Sequence, residues 1–422
     1  MNSVALFFNA ITPFKSDLSL LRCSDTRTVL LINSTIYSQL KEEHKVFFEK
    51  IYVIDPITFE TTLPIVVHYL KEVSRDQIKL VTNDEACILV VGKLIDYLGL
   101  KGEGEKVLIK FIDKIVMKNT LDAQGIRTPY HQKFNRDEYL TDKVHYITEL
   151  EKKFNYPFVV KPIALYGSAS FKKIHNRTEW FAYVEQIVHS DISFQIEEFI
   201  EGTLFHCDAI VQNKEIRFVS ISEYLWPMAL FKEGYPTGSI VLPEHDSRWN
   251  QLNVVHQQII ALLQPPEGVT HCELFLTQNN EVVFLEIAAR PSGALVVSMI
   301  ERMTGVNIEL AHFMLRLQRP ITIQTQRITE FSFFCYVPKK NGLVLSLELP
   351  KLNSELSIEW NVKPGDLIQM QPSGEYDILV KPSNIAATII LSNSCFDHLY
   401  QDFLTLKKAH LVHIQPENYS SS

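Results

Sequence analysis

The segment 271–293 carries two apolar runs on either side of Asn279-Asn280, with one glutamate in each run, and this limits what the chain can fold into. Asparagine tolerates the positive φ of tight hairpin turns, so the spacing predicts a β-hairpin with Asn279 and Asn280 as a two-residue loop. In that register residue 278 faces 281 and, carried down the ladder, Glu273 falls opposite Glu286. Directly opposed side chains have Cβ atoms about 5 Å apart, where like charges repel. A divalent cation between the two carboxylates would relieve that repulsion, and an oxygen-only site suits magnesium. Alternation puts Arg290 on the Glu286 face. The plain alternative is an exposed sheet face with two unrelated acids.

Upstream, residues 1–100 alternate short apolar runs at 4–8, 28–32, 51–54 and 78–82 with polar or helix-like spacers, the pattern of a parallel sheet covered by helices. Asn83-Asp84-Glu85 then opens an amphipathic helix that stops at Gly99. It lies where open α/β sheets bind ligands, so these residues either cap the helix or touch a ligand. The 422-residue chain is 46% hydrophobic, with 41 basic and 49 acidic residues and a net charge of −8. No basic patch appears, so no nucleic-acid partner is expected. The six cysteines lack CxxC spacing and read as reduced thiols of an intracellular protein. The first ten residues lack the basic start of a signal peptide. No run reaches the ~18 apolar residues that span a bilayer. A cytoplasmic protein without membrane contact is the expectation.

Lys114 lies in the first turn of a helix predicted over 113–124, where acids are electrostatically favoured; a solvated surface lysine is the bland reading. The strand 158–162 ends in Lys161-Pro162 and runs into 164–170, a loop of small residues that includes Gly167, Ser168 and Ser170. Such loops let backbone N–H groups and serine hydroxyls approach phosphate oxygens, although the Walker pattern is absent. A strand at 171–174 makes this loop a hairpin tip. The strand 194–200 ends in Glu197-Glu198-Phe199-Ile200-Glu201 and bends at Gly202. A second hairpin, 204–211 with 215–220, puts His206 and Asp208 on one face; a satisfied polar pair is the alternative. Residues 224–243, with Trp226 and Tyr235, read as an irregular and functional loop. Helices follow at 248–263, 294–303 and 307–317. From 321 the chain is strand-rich, with turns at 339–342, 364–366 and Pro372–Gly374, and reads as an added β-rich subdomain. Three domains result: 1–112, 113–320 with a lid at about 128–200, and 321–422.

Asp113-Lys114, Tyr156-Pro157-Phe158-Val159-Val160-Lys161-Pro162, His206-Cys207-Asp208, His271-Cys272-Glu273 and Glu286-Ile287-Ala288-Ala289-Arg290-Pro291-Ser292-Gly293 stand in that order. Together they resemble the ATP-grasp ligases, and within them the carboxylate–amine ligases that join amino acids. The resemblance covers roughly residues 75–320. It implies an α/β fold with a Rossmann-like parallel sheet, an ATP-grasp lid and core, and a β-rich C-terminal extension. It implies ATP and Mg2+ as cofactors, with Mn2+ as a substitute, and an enzyme that makes an amide through an acyl-phosphate. Lys114 and Lys161 would bind the α- and β-phosphates, and the loop with Gly167, Ser168 and Ser170 would close over the γ-phosphate. Glu197, Glu198, Phe199, Ile200 and Glu201 would form the nucleotide hinge, with Phe158 or Ile200 on the adenine ring. Glu273 and Glu286 would hold the metal, and Arg290 the acyl-phosphate. His271 or His206 would accept the amine proton. His206, Asp208, Trp226, Ser292 and Gly293 would face the substrates, a small carboxylic acid and an amine or amino acid. A homodimer is the expected assembly. Two positions depart from the pattern. Leu204 stands where relatives often place an acid for the ribose, with Glu201 or Glu197 as a substitute, and Ala288 stands where many have asparagine. They motivate two other readings: a ligase or carboxylase acting on a nucleotide-precursor or natural-product acid, and a scaffold that binds nucleotide without turnover.

Overall fold

The computed structural model describes residues 3–370 and 380–416; the turn expected at Pro372–Gly374 lies outside them. The N-terminal runs form a parallel four-stranded sheet in the order Lys50–Val53, Thr26–Ile32, Ser3–Asn9, Ile78–Val81. Both faces are buried. Val4, Leu6 and Phe8 pack on Val66, Cys87, Val91 and Leu94, while Ala5 and Phe7 pack on Phe47, Phe48 and Phe313. Asp84 caps the helix Glu85–Leu98, accepting from Ala86 N, and Gly99 ends it in the left-handed region at φ 61°. The other carboxylate oxygen of Asp84 accepts from the backbone N–H groups of Ala10, Ile11 and Thr12 at 2.7, 2.5 and 3.1 Å. Capping is therefore half of its role; it also shapes the loop that leaves the first strand.

A second, antiparallel sheet has the order His131–Lys133, Phe194–Glu198, Phe158–Pro162, Lys172–Ile174. Its outer face buries Phe158, Val160, Phe194 and Ile196 against Tyr146, Leu150, Trp180 and Val184 of the helices Lys143–Lys153 and Arg177–Ile187. Alternation leaves Val159, Lys161, Gln195 and Glu197 on the inner face. Val159 stands opposite Glu197, so Lys161, two residues on, lies diagonally beside it.

The largest sheet has eight strands, in the order Val282–Ala288, Gly268–Thr277, Gly202–Gln212, Glu215–Tyr224, Thr237–Val241, Phe331–Pro338, Ile385–Asn393, Glu355–Trp360. The segment 224–243 is thus not irregular throughout. It holds a 3-10 helix, Met228–Glu233, and the strand Thr237–Val241, which joins the hairpin to the C-terminal strands. Gly238 makes this possible, since a Cβ there would lie 1.9 Å from the carbonyl oxygen of Phe334. The β-rich tail thus extends the central sheet with three strands and adds a three-stranded sheet of its own, in the order Leu367–Ile368, Gly342–Leu347, Val412–Gln415.

The organising hairpin reaches its expected pairing by an unexpected route. Thr277 N donates to Glu281 O, and Asn280 adopts φ 60°, so the loop has three residues, 278–280. This is the three-residue hairpin that ends in a left-handed residue. Leu274 then faces Phe284, not residue 285, and a bulge at Leu285 restores Glu273 opposite Glu286. The bulge has a physical reason. Val282 and Phe284 point into the core with Cys272, Leu274 and Leu276, and strict alternation would send Glu286 there as well. One extra residue turns Glu286 to the other face while Ile287 returns to the core.

Asp84→Ala removes a helix cap and, at once, the acceptor of three backbone N–H groups. A loss of about 3 kcal/mol is expected, read as a lower urea midpoint, and an unchanged midpoint would refute the clasp between the helix and the first loop.

Candidate active site

Three lysines from two elements meet on the inner faces of the two antiparallel sheets. Asp113 caps the helix Lys114–Asp122 through Ile115 N and Val116 N, which fixes Lys114 at its start and Lys118 one turn later. Lys114 Nζ donates to Leu165 O at 2.6 Å and lies 3.7 Å from Glu286 Oε2. Lys161 Nζ is 2.7 Å from Glu197 Oε1 and 3.8 Å from Glu286 Oε2. Lys118 Nζ pairs with the other Glu197 oxygen at 3.0 Å. Burial alone would raise the pKa of Glu197, but Lys118 and Lys161 outweigh it and keep the carboxylate ionised. Burial likewise opposes the charge of Glu286, and Lys114, Lys161 and Lys118 overcome it, holding the pKa at about 2.

The opposed acid, Glu273, accepts from Tyr224 OH at 2.7 Å, with His271 Nε2 at 3.5 Å. Behind it runs a buried array. His271 Nδ1 lies 2.9 Å from Asp208 Oδ1, and His206 Nδ1 lies 2.6 Å from Asp208 Oδ2. Burial alone would raise Asp208, but the two histidines hold it well below the ordinary carboxylate range. Burial alone would lower His271, yet Asp208 and Glu273 raise it to about 9. These ring and carboxylate atoms lie within 4.8 Å of one another. They are spent on mutual hydrogen bonds, so the array reads as a bonded chain and not as a cation cage. The expected pair fits a metal better. Glu273 and Glu286 are directly opposed, open to the cleft, and offer only oxygen, as magnesium prefers.

Other expected residues separate into those that border this group and those that do not. Arg290 borders it, and its Nε and Nη2 donate to Glu85 Oε2 at 2.9 and 2.5 Å, with Nη1 on Pro291 O. Ser292 is buried beside it, and a Cβ built at Gly293 meets nothing within 4 Å. The loop over the cleft turns through positive φ at Gly167, Ser168 and Ser170, and Tyr183 OH ties its end to Ser170 O. At the hinge, Glu198 is held by Arg127 and accepts from Tyr130 N. The Phe199 ring carries Lys173 Nζ at 3.7 Å, Ile200 is buried, and Glu201 is exposed.

Four expectations need correction. Glu197 cannot stand in for a ribose acid, because both its oxygens are committed to lysines. Phe158 faces the helix-covered core of the second sheet and so cannot cover an adenine. Trp226 packs on the C-terminal cluster, its indole N–H on Lys407 O at 3.1 Å. His271 is cationic at neutral pH and has no lone pair for an amine proton. Sequence reasoning missed Lys118, Tyr224 and Glu85 as partners. A lysine one turn after Lys114 was the only available signal for the first of them.

The raised His271 makes stability depend on pH. Folding lifts its pKa from 6.5 to about 9, so the folded state binds the proton more tightly. That stabilisation is complete below pH 6.5 and is lost as pH rises through 9. Wild-type protein should lose melting temperature across this window more steeply than Asp208→Asn, and parallel curves would contradict the assignment.

Comparisons with known proteins place the chain beside ligases. The family model described as D-ala D-ala ligase C-terminus matches residues 120–309. An L-arginine-specific L-amino acid ligase of Bacillus subtilis is 24% identical over 366 residues, covering 84% of this chain and 86% of the relative. A D-alanine–D-alanine ligase of Natranaerobius thermophilus is 33% identical over 110 residues, 26% of this chain and 30% of the relative. Among solved structures, an L-amino acid ligase from Bacillus licheniformis superposes with a TM-score of 0.69 at 17% identity, covering 99% of both chains. An N5-carboxyaminoimidazole synthetase from Staphylococcus aureus, complexed with ADP, superposes with a TM-score of 0.64 at 12% identity, covering 97% of this chain and 98% of the other. The chain is thus similar through residues 120–309 to the D-ala D-ala ligase C-terminus family, over most of its length to an L-amino acid ligase, and in fold to the ATP-grasp ligases.

Proposed function

We propose that this protein joins a carboxylic acid to the amine of an amino acid through an acyl-phosphate made from ATP. The observation that carries the reading is the convergence of Lys114 and Lys161 on Glu286, at 3.7 and 3.8 Å, with Glu273 directly opposite. A carboxylate is a poor acyl donor. Transfer of the terminal phosphoryl group of ATP to its oxygen gives an acyl-phosphate and ADP. The amine then attacks the carbonyl carbon, phosphate leaves with the C–O bonding pair, and the nitrogen gives up a proton. Such chemistry demands positioning and charge neutralisation more than a nucleophilic side chain.

In this reading Lys114 and Lys161 bind the phosphates, and Glu197, shared with Lys118, aims Lys161. The loop of Gly167, Ser168 and Ser170 covers the transferred group. Arg290, oriented by Glu85, meets the acyl-phosphate with its planar fork. Mg2+, or Mn2+ in its place, would be held by Glu273 and Glu286 and would neutralise phosphate oxygens. Tyr224 and the cationic His271 fix the Glu273 carboxylate, and His206 and Asp208 wall the substrate side together with Ser292 and Gly293. The amine proton leaves by a route other than His271.

Purified protein with ATP and magnesium should release ADP only when a suitable acid and amine are both present. The product should be lighter than its two parts by one water. Glu286→Gln should lower turnover by about 10²-fold or more without unfolding the protein. Lys161→Met should raise KM for ATP, and Glu197 keeps Lys118 as a partner in that variant. ADP release at the wild-type rate from Glu286→Gln would overturn the site.

A further inference from the structure

The cleft has a cation that none of the phosphate chemistry uses. Lys15 lies in the loop that leaves the first strand, and this loop is held from both sides. Asp84 takes the N–H groups of Ala10, Ile11 and Thr12. Glu309 Oε2 takes those of Lys15 and Ser16 at 2.9 and 2.7 Å, while its Oε1 accepts from Asn83 Nδ2 at 2.9 Å. Ser16 Oγ adds a bond to Asn307 Oδ1 at 3.0 Å. A loop whose amides are saturated by two carboxylates has a fixed direction, and it sends Lys15 Nζ to the carbonyl of Ser292, at 2.6 Å.

Among the described residues that carbonyl is the one hydrogen-bond partner of the ammonium, and no carboxylate pairs with it within 4.0 Å. Arg290, by contrast, is already paired with Glu85. Burial lowers Lys15 to about 8 against the attraction of Glu309, with Arg290 and Asp208 as further charged neighbours, so it is still a cation at neutral pH. Ser292 itself is fully buried, and its Oγ has no partner among the described residues. Next to it the space at Gly293 is open. Lys15 is half-buried, and an ammonium with a single carbonyl partner at a partly dry site keeps donors free for an anion that arrives there.

We infer that Lys15, presented beside Ser292 and Arg290 by the clamped loop 10–16, forms a second anion subsite that takes a substrate carboxylate other than the one phosphorylated. Lys15 is then a specificity residue contributed by the N-terminal sheet, and the inference rests on the ligase reading above. The carboxylate has two sources: the free carboxylate of an amino acid that supplies the amine, or a second carboxylate on the acid.

The test compares wild type and Lys15→Gln with an active amino acid nucleophile and its carboxamide, and with a monocarboxylic acid and its dicarboxylic homologue. Loss of one charge-assisted hydrogen bond should raise KM about ten-fold or more for the partner whose carboxylate sits at Lys15. The uncharged analogue and ATP should keep their KM, and Lys15→Arg should restore part of the preference. The member of the two pairs that loses its advantage identifies the source. Equal changes for charged and uncharged partners, or no change for either, would overturn the subsite. Thermal stabilisation by the same compounds in the presence of ADP is read in parallel. Wild-type protein that never releases ADP, yet is stabilised by the carboxylate over the amide in a Lys15-dependent way, would sink the ligase reading and leave the subsite standing.

Discussion

The whole cleft depends on keeping Glu286 ionised in a place where burial opposes its charge. The carboxylate faces Lys114 and Lys161 at 3.7 and 3.8 Å, beyond hydrogen-bond reach but well inside the range of strong attraction. Lys118, lowered by burial to about 8, and His271, raised to about 9, are cations at neutral pH as well. Against Lys114, Lys118, Lys161 and His271 stand Glu197, Glu273, Glu286 and Asp208, so the charges that face one another here balance. A divalent metal on the two opposed glutamates would tip that balance to the positive side. An excess of fixed positive charge in a low-dielectric cleft is stable only with a polyanion in it, and a nucleotide triphosphate is such a ligand.

This arrangement is possible because one strand breaks its own alternation. The run from Val282 to Ala288 must send Phe284 and Ile287 into the core and Glu286 out of it. No unbroken period-two pattern does all three. The sequence expectation of Glu273 opposite Glu286 is met, although the loop has three residues and not two. A one-residue error at the turn is cancelled by the bulge at Leu285. The hydrophobic pattern alone could not reveal this, because Val282, Val283, Phe284 and Leu285 are all apolar and either face would accept them.

What was legible depended on distance along the chain. The parallel N-terminal sheet, the caps at Asp84 and Asp113, and the strand ending in Lys161 follow from local periodicity and capping rules, and they stand close to where they were expected. Lys118 was invisible because a lysine on a helix is usually solvated, and only the arrival of Glu197 from the four-stranded antiparallel sheet makes it part of an ion triad. Tyr224 and Glu85 are of the same kind, each meaningful only through a partner about 50 or 205 residues away. Trp226 failed in the opposite sense. An aromatic residue in a segment rich in glycine and proline suggested a pocket wall, but Gly238 lets a strand approach and carries that segment into the sheet.

The groups that would handle phosphate and those that border the open side of the cleft also differ in how they are held. Lys161 and Glu197 stand on adjacent strands, and Glu273 and Glu286 on another pair, so backbone ladders set their spacing. The opposite rim is built from long-range side-chain contacts: Glu85 on Arg290, Asn83 and the loop amides on Glu309, Lys15 on the Ser292 carbonyl. Ladder spacing is nearly invariant and tolerates little substitution, whereas a rim of individual side chains can change its charge or reach one residue at a time. Chemistry common to many ligases is therefore expected on the strands, and the choice of acid and amine on the rim that the N-terminal sheet supplies.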